Sequence, residues 1–266
     1  MKTGVLTLGT ALASAVLLFH PSGLRAEDAS EKLSAREIVL QSRERQFPEN
    51  AVMNITMTLI NKRGVRRERQ IETKRRTEED GSAKSVAYFL SPADVRGTAF
   101  LVWEQKDQPN DVFIYLPALK NIRRIASDQR NQSFMGSDFS YADMEREDVD
   151  DAVHRILAEE VRNGKPCWVI ESIPKPESES EYSRVVTYVT QDDFIPERME
   201  LYDKKGTLYK ILEVQRAAPV EDKILMLEFT MENVQRGTKT EIVLQDVKLN
   251  QEIPDSEFTH RAIQRR

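Results

Sequence analysis

Cysteine is almost missing from this sequence. Cys167 is the only one in 266 residues, so no disulfide can close within the chain. Glycine (10) and proline (11) are not in excess, and large apolar residues recur in organised runs, which excludes disorder throughout. Long hydrophobic runs are scarce as well. A single stretch approaches bilayer-spanning length, so a polytopic membrane protein is excluded. Histidine occurs three times: His20 directly follows that apolar stretch, and His154 and His260 stand alone and far apart. No HExxH, CxxC or paired-histidine spacing is present, so neither a metal site nor a cofactor is expected. Nucleophile elbows of the GxSxG type, GxGxxG turns and Walker loops are missing too. Cys167, between Pro166 and Trp168 in an apolar run, reads as a small buried hydrophobe rather than a catalytic thiol.

The apolar stretch opens the chain. Met1-Lys2 precedes an uncharged segment from Gly4 to Phe19, then His20-Pro21-Ser22-Gly23 breaks it and Leu24-Arg25-Ala26 leads into Glu27. This is the pattern of a secretory signal peptide over residues 1–26, cleaved after Ala26, with a single mature domain expected over 27–266. No cysteine stands near that point to carry a lipid anchor. Cleavage removes Lys2 and Arg25, so the formal charge moves from -5 to -7. The expectation is an acidic, exported protein of a bacterial periplasm.

Beyond the leader, Ser34 and Glu37 have capping-box spacing ahead of an apolar face at Ile38, Val39 and Leu40, predicting a helix that ends near Phe47-Pro48. From residue 51 the period changes from 3.6 to 2. Met53, Ile55, Met57 and Leu59 point one way, and Val52, Asn54, Thr56 and Thr58 the other. Further strands are predicted over 65–76, 84–90, 98–104, 111–116, 121–126, 166–173, 183–190, 196–203, 207–216, 224–234 and 239–248, with turns at 61–64, 203–206 and 236–237. A helical insert is expected over about 140–160. Strands at this spacing without alternating helices imply one large antiparallel sheet, which tends to curl. Two helical segments cover little of such a sheet. An apolar concavity and an ordinary packed core both fit the periodicity. The basic runs Arg66-Arg67-Glu68-Arg69 and Lys74-Arg75-Arg76 are interrupted or followed by acids, so no nucleic-acid surface is expected, though an anionic membrane or partner remains open.

The segment 111–145 stands out. A strand ends in Leu116-Pro117, a basic strand with Lys120, Arg123 and Arg124 follows, and then a long polar loop holds Phe134, Met135 and Gly136 and closes on Ser137-Asp138-Phe139-Ser140-Tyr141. Long loops in compact domains are usually functional or mobile. Phe134 and Met135 fit a lid over an apolar cavity, and fit the core equally. Asp138 and Asp143 read as helix caps more readily than as acids or cation ligands.

In Ser91-Pro92-Ala93-Asp94-Val95-Arg96-Gly97-Thr98-Ala99-Phe100, Ile114-Tyr115-Leu116-Pro117-Ala118-Leu119-Lys120, Arg123-Arg124-Ile125 and Ser133 to Tyr141, the sequence resembles the LolA/LolB-like outer-membrane lipoprotein-sorting proteins. The match is nearest to a periplasmic branch associated with RND-type exporters. Ile195 to Asp203 with Gly206, and Ile253-Pro254-Asp255-Ser256-Glu257-Phe258, extend the resemblance over most of 35–260. It implies a mainly β fold: an unclosed barrel of about eleven antiparallel strands with helices across its mouth and a cavity for acyl chains.

The expectation is therefore a non-enzymatic carrier that shields a lipid or lipoprotein acyl chain for transfer toward the outer membrane, with transient membrane contact. Burial of roughly 0.8 kcal/mol per methylene supplies affinity without polar contacts. Expected cavity residues are Met53, Ile55, Met57, Leu59, Phe100, Val102, Leu225, Leu227, Phe229 and Met231. Phe134 and Met135 form the expected lid. Lys120, Arg123 and Arg124 are the expected surface for head groups or an acidic partner. A non-catalytic subunit docked on an RND-type exporter is the alternative, and a hydrolase working through Asp138 the third reading.

Overall fold

A computed structural model of the chain describes residues 32–46, 48–106, 108–145, 148–221 and 223–265. The leader expected over 1–26 lies outside them. Helix α1 spans Ala35–Gln46. It begins where the sequence places it, because the Ser34 amide donates to Glu37 Oε2 at 2.7 Å and the Glu37 amide to Ser34 Oγ at 3.3 Å. Thirteen strands follow: β1 Ala51–Ile60, β2 Arg66–Thr77, β3 Ala83–Ser91, β4 Ala99–Glu104, β5 Asp111–Leu116, β6 Asn121–Arg124, β7 Ala152–Arg162, β8 Lys165–Pro174, β9 Arg184–Thr190, β10 Pro196–Tyr202, β11 Leu208–Val220, β12 Lys223–Asn233 and β13 Thr238–Lys248. A short helix α2, His260–Ile263, ends the chain.

All thirteen strands form one antiparallel sheet in the order β6-β5-β4-β3-β2-β1-β13-β12-β11-β10-β9-β8-β7. Each neighbour in space is a neighbour in sequence except β1 and β13, which pair with Met57 opposite Ile242. The sheet is curled and unclosed, as the resemblance implies. Its two edges are β6 and β7. The turns form where backbone demands glycine: Gly64 and Gly206 both have φ of +77°.

Two expectations are corrected. The strand count among the described residues is thirteen rather than about eleven. The helix expected over 140–160 is not there: 142–144 and 149–151 are single 3-10 turns, and Ala152–Arg162 is strand β7. The sequence HRILAEEV is rich in good helix formers. Here the ladder to β8, with Val153 opposite Ile173 and Ile156 opposite Ile170, overrides that local preference.

Because β6 and β7 are opposite edges, the chain between them must cross the sheet. Residues 125–145 and 148–151 lie on that crossing, on the concave side. Phe134 and Phe139 from this segment are buried in the main core with Met57 of β1, Ile71 of β2, Phe89 of β3, Phe100 and Val102 of β4 and Ile242 of β13. The opposite face of β3–β5 is covered separately. Ile253, Phe258 and Ile263 pack there on Val86, Tyr88 and Leu101. That is why Ala99 to Val102 of β4 are buried on both faces.

Candidate functional site

The concavity is divided between the crossing segment and a remaining cavity. The cavity, about 160 Å³, lies among α1, the crossing segment and strands β8–β12. Val39 of α1, Val185 and Val189 of β9, Met199 and Leu201 of β10, Leu212 of β11 and Met231 of β12 give it apolar walls. Val39 is brought there by the same face as Ile38, which packs on Ile170 and Val189. The period of two in β9 and β10 sends alternate residues inward.

One wall is polar and mostly buried: Asp143 and Tyr182 line it, with Lys210 and Glu181 in the same polar group. The Lys210 ammonium lies 2.8 Å from the Tyr182 hydroxyl and 3.2 Å from both Asp143 Oδ2 and Glu181 Oε1. Tyr182 donates to Asp143 Oδ1 at 2.9 Å. Burial alone would lower the Lys210 pKa, but Asp143 and Glu181 outweigh it and the net direction is up. Burial, and then the same two carboxylates, hold the Tyr182 hydroxyl well above the ordinary tyrosine range. At neutral pH the lysine stays charged and the tyrosine stays protonated.

The way the crossing segment is attached decides what can move. From 126 to 145 its backbone hydrogen bonds close within the segment, as in Phe134 to the Phe139 carbonyl and Tyr141 to the Gln132 carbonyl. Side chains hold it to the sheet. Asp138 is buried; its amide donates to Thr240 Oγ1 at 2.9 Å, and its carboxylate accepts from Thr238 and Thr240 of β13. Arg69 donates to the Met135 carbonyl at 2.6 Å. Phe134 packs edge-on to Phe100 at 5.0 Å and to Tyr141 at 5.6 Å. Asp143 completes the set through Lys210 and Tyr182.

The residues named from sequence fall into two places. Met57, Phe100, Val102 and Met231 are buried in the main core, with Ile55, Leu59 and Phe229 packed against it. Leu225 and Leu227 instead pack with Ala51 and Leu249, and Met53 lies against that separate cluster. Of these ten, Met231 lines the cavity. Phe134 is buried, and Met135, at a φ of +51°, packs half-buried on the main core. Lys120, Arg123 and Arg124 are exposed at the β6 edge, with Arg124 paired to Asp111. Sequence reasoning missed the walls from α1 and β9–β11 and the Asp143–Tyr182–Lys210 group. The alternation at 185, 187 and 189 was the available signal, but nothing local tells which face of those strands is concave. Among the described residues, no group of three or more His, Cys, Asp or Glu is placed to hold a metal ion.

A family model described as that of an uncharacterized-protein-like group matches residues 81–265. No curated protein matches the sequence. A DUF1329 family protein from Desulfovibrio piger ATCC 29098 has a TM-score of 0.82 and 29% identity, over 86% of this chain and 97% of that one. A domain assigned to outer membrane lipoprotein sorting, from Vibrio parahaemolyticus, has a TM-score of 0.80 and 29% identity, over 87% and 98% of the two chains. A LolA superfamily protein from Nitrosomonas europaea shares the fold with a TM-score of 0.70 at 20% identity, over 86% and 99%. With the family match covering well over half of the chain, and the curled, unclosed sheet shared over nearly the full length of these relatives, the chain belongs to the LolA/LolB-like family of outer-membrane lipoprotein-sorting proteins.

Proposed function

We propose that this protein is a non-enzymatic periplasmic carrier that holds the acyl chain of a lipid or lipoprotein in the concavity of its sheet and delivers it toward the outer membrane. The observation that carries this reading is the cavity itself. Its apolar walls are closed on one side by a helix and a crossing segment, not by further strands. At about 160 Å³ it is smaller than the roughly 300–1,000 Å³ of ordinary ligand pockets. Cargo therefore enters by displacing a cover, and the crossing segment is the cover whose residues 126–145 are held to the sheet through side chains. Seven of the ten residues named above, Ile55, Met57, Leu59, Phe100, Val102, Phe229 and Met231, become accessible to an acyl chain when Phe134 and Phe139 leave. Lys120, Arg123 and Arg124 meet anionic head groups or an acidic acceptor. Release needs a membrane or partner that offers an equally apolar place.

The test is lipid analysis of the exported chain, residues 27–266, purified from the periplasm. Stoichiometric acyl lipid in the extract, and uptake of a fluorescent fatty acid that saturates at one site, are expected. A protein that is empty when isolated and that takes up no acyl probe would refute the carrier reading.

One observation favours a second reading, a non-catalytic subunit docked on an RND-type exporter. Phe134 and Phe139 are already buried in the concavity, with Tyr141 packed against the same core. Loss of exporter co-purification on Arg123→Glu with Arg124→Glu, in a protein that carries no lipid, would establish that alternative.

A further inference from the structure

The two edges of the sheet are built differently. β6 is four residues long and presents exposed Arg123 and Arg124, the usual means of blunting an edge. β7 is eleven residues long and, among the described residues, its other side has no strand partner. Eight large hydrophobic side chains are exposed among the described residues, and five of them lie here: Val153, Ile156, Leu157 and Val161 on β7, and Ile173 beside them on β8. An unpaired edge of this length and character calls for a strand to cover it.

The charges on β7 say which strand. They are balanced, with Arg155 and Arg162 against Glu159 and Glu160, so a second copy is not repelled. Their order matters more. Val153, Arg155 and Glu160 stand opposite Ile173, Glu171 and Cys167 of β8, which share one face of that strand. Arg155 and Glu160 therefore also share a face, because the register shift at 156–158 adds one residue between them.

We propose that β7 pairs antiparallel with β7 of a second copy of this chain, about a two-fold axis between Leu157 and Ala158. Arg155 of each copy then faces Glu160 of the other, twice, and the two Leu157 side chains meet beside the axis. A slip of two residues one way sets Arg155 against Arg162, and the other way against Ala158. The charge pattern thus selects a single register as well as a partner. Such an isologous contact is the commonest way for soluble chains to dimerise. It joins two curled sheets into one and leaves the opposite edge, β6, free on each copy.

Sedimentation velocity of residues 27–266 over a wide concentration range tests this. A monomer–dimer equilibrium is expected, weakened about tenfold or more by Leu157→Lys and by Glu160→Arg while the melting of dilute, monomeric protein is unchanged. Leu157→Cys is expected to be joined into dimers by a short bis-maleimide far faster than a Val65→Cys control at a distant turn. Three outcomes would each overturn the proposal: a monomer at every concentration, a dimer indifferent to both substitutions, or cross-linking at position 157 no faster than at 65. Binding of a strand from another protein by a monomeric chain would replace it.

Discussion

Asp143, on the segment that crosses the sheet, and Lys210, on β11, approach to 3.2 Å where the lysine is 3% exposed. They come from positions 67 residues apart and tie the cover of the cavity to its wall. Glu181 and Tyr182 complete the group, so the ammonium has three oxygen partners and no water needs to reach it.

Lys210→Ala removes the one cation of that group and leaves Asp143 and Glu181 buried without it. A loss of about 3–5 kcal/mol is expected, because breaking one member of a buried ion pair strands the other. Denaturant unfolding measures it. Asp143→Asn should cost less, since Glu181 remains to balance the lysine.

Phe134→Ala empties the centre of the crossing segment. The side chain is buried against Phe89, Phe100 and Tyr141, and a loss of about 3–5 kcal/mol follows from the size of the cavity created. If the crossing segment is the cover, the same substitution raises uptake of a fluorescent acyl probe. A titration that gives unchanged uptake would count against that role.

Thr240→Val takes away the hydroxyl that both accepts from the Asp138 amide and donates to its carboxylate. A cost of about 1–3 kcal/mol is expected for the under-satisfied buried groups. The change should be local. Hydrogen exchange is expected to quicken over 133–141 while β8 and β9 keep their protection, because the segment's own backbone bonds do not extend into the sheet.

His154 gives the stability a pH dependence. Burial pulls its pKa below the ordinary 6.5, with Arg43 and Arg36 acting in the same direction and the Val149 carbonyl and Asp150 opposing. The neutral ring donates from Nε2 to the Val149 carbonyl and accepts from Ser172 Oγ, each at 2.8 Å. The unfolded chain then binds the proton more readily than the folded one. Stability falls as pH drops through 6.5 and levels off below the folded pKa. Thermal melts from pH 8 to 5 should show this slope, and His154→Gln should remove its share of it.

The sequence by itself determined α1, twelve of the thirteen strands and the family. These rest on local signals: the Ser34–Glu37 cap, the two-residue period, and glycines where φ must be positive. The resemblance also conveyed the curled, unclosed sheet. Tertiary structure alone decided β7, whose composition favours helix until β8 offers it a ladder. It alone decided that β6 and β7 are opposite edges, which forces the crossing that fills the concavity with Phe134 and Phe139. And it alone assembled Asp143, Tyr182 and Lys210, since the attraction among them acts only once segments far apart in sequence have been folded so that these side chains lie within 3.2 Å of one another.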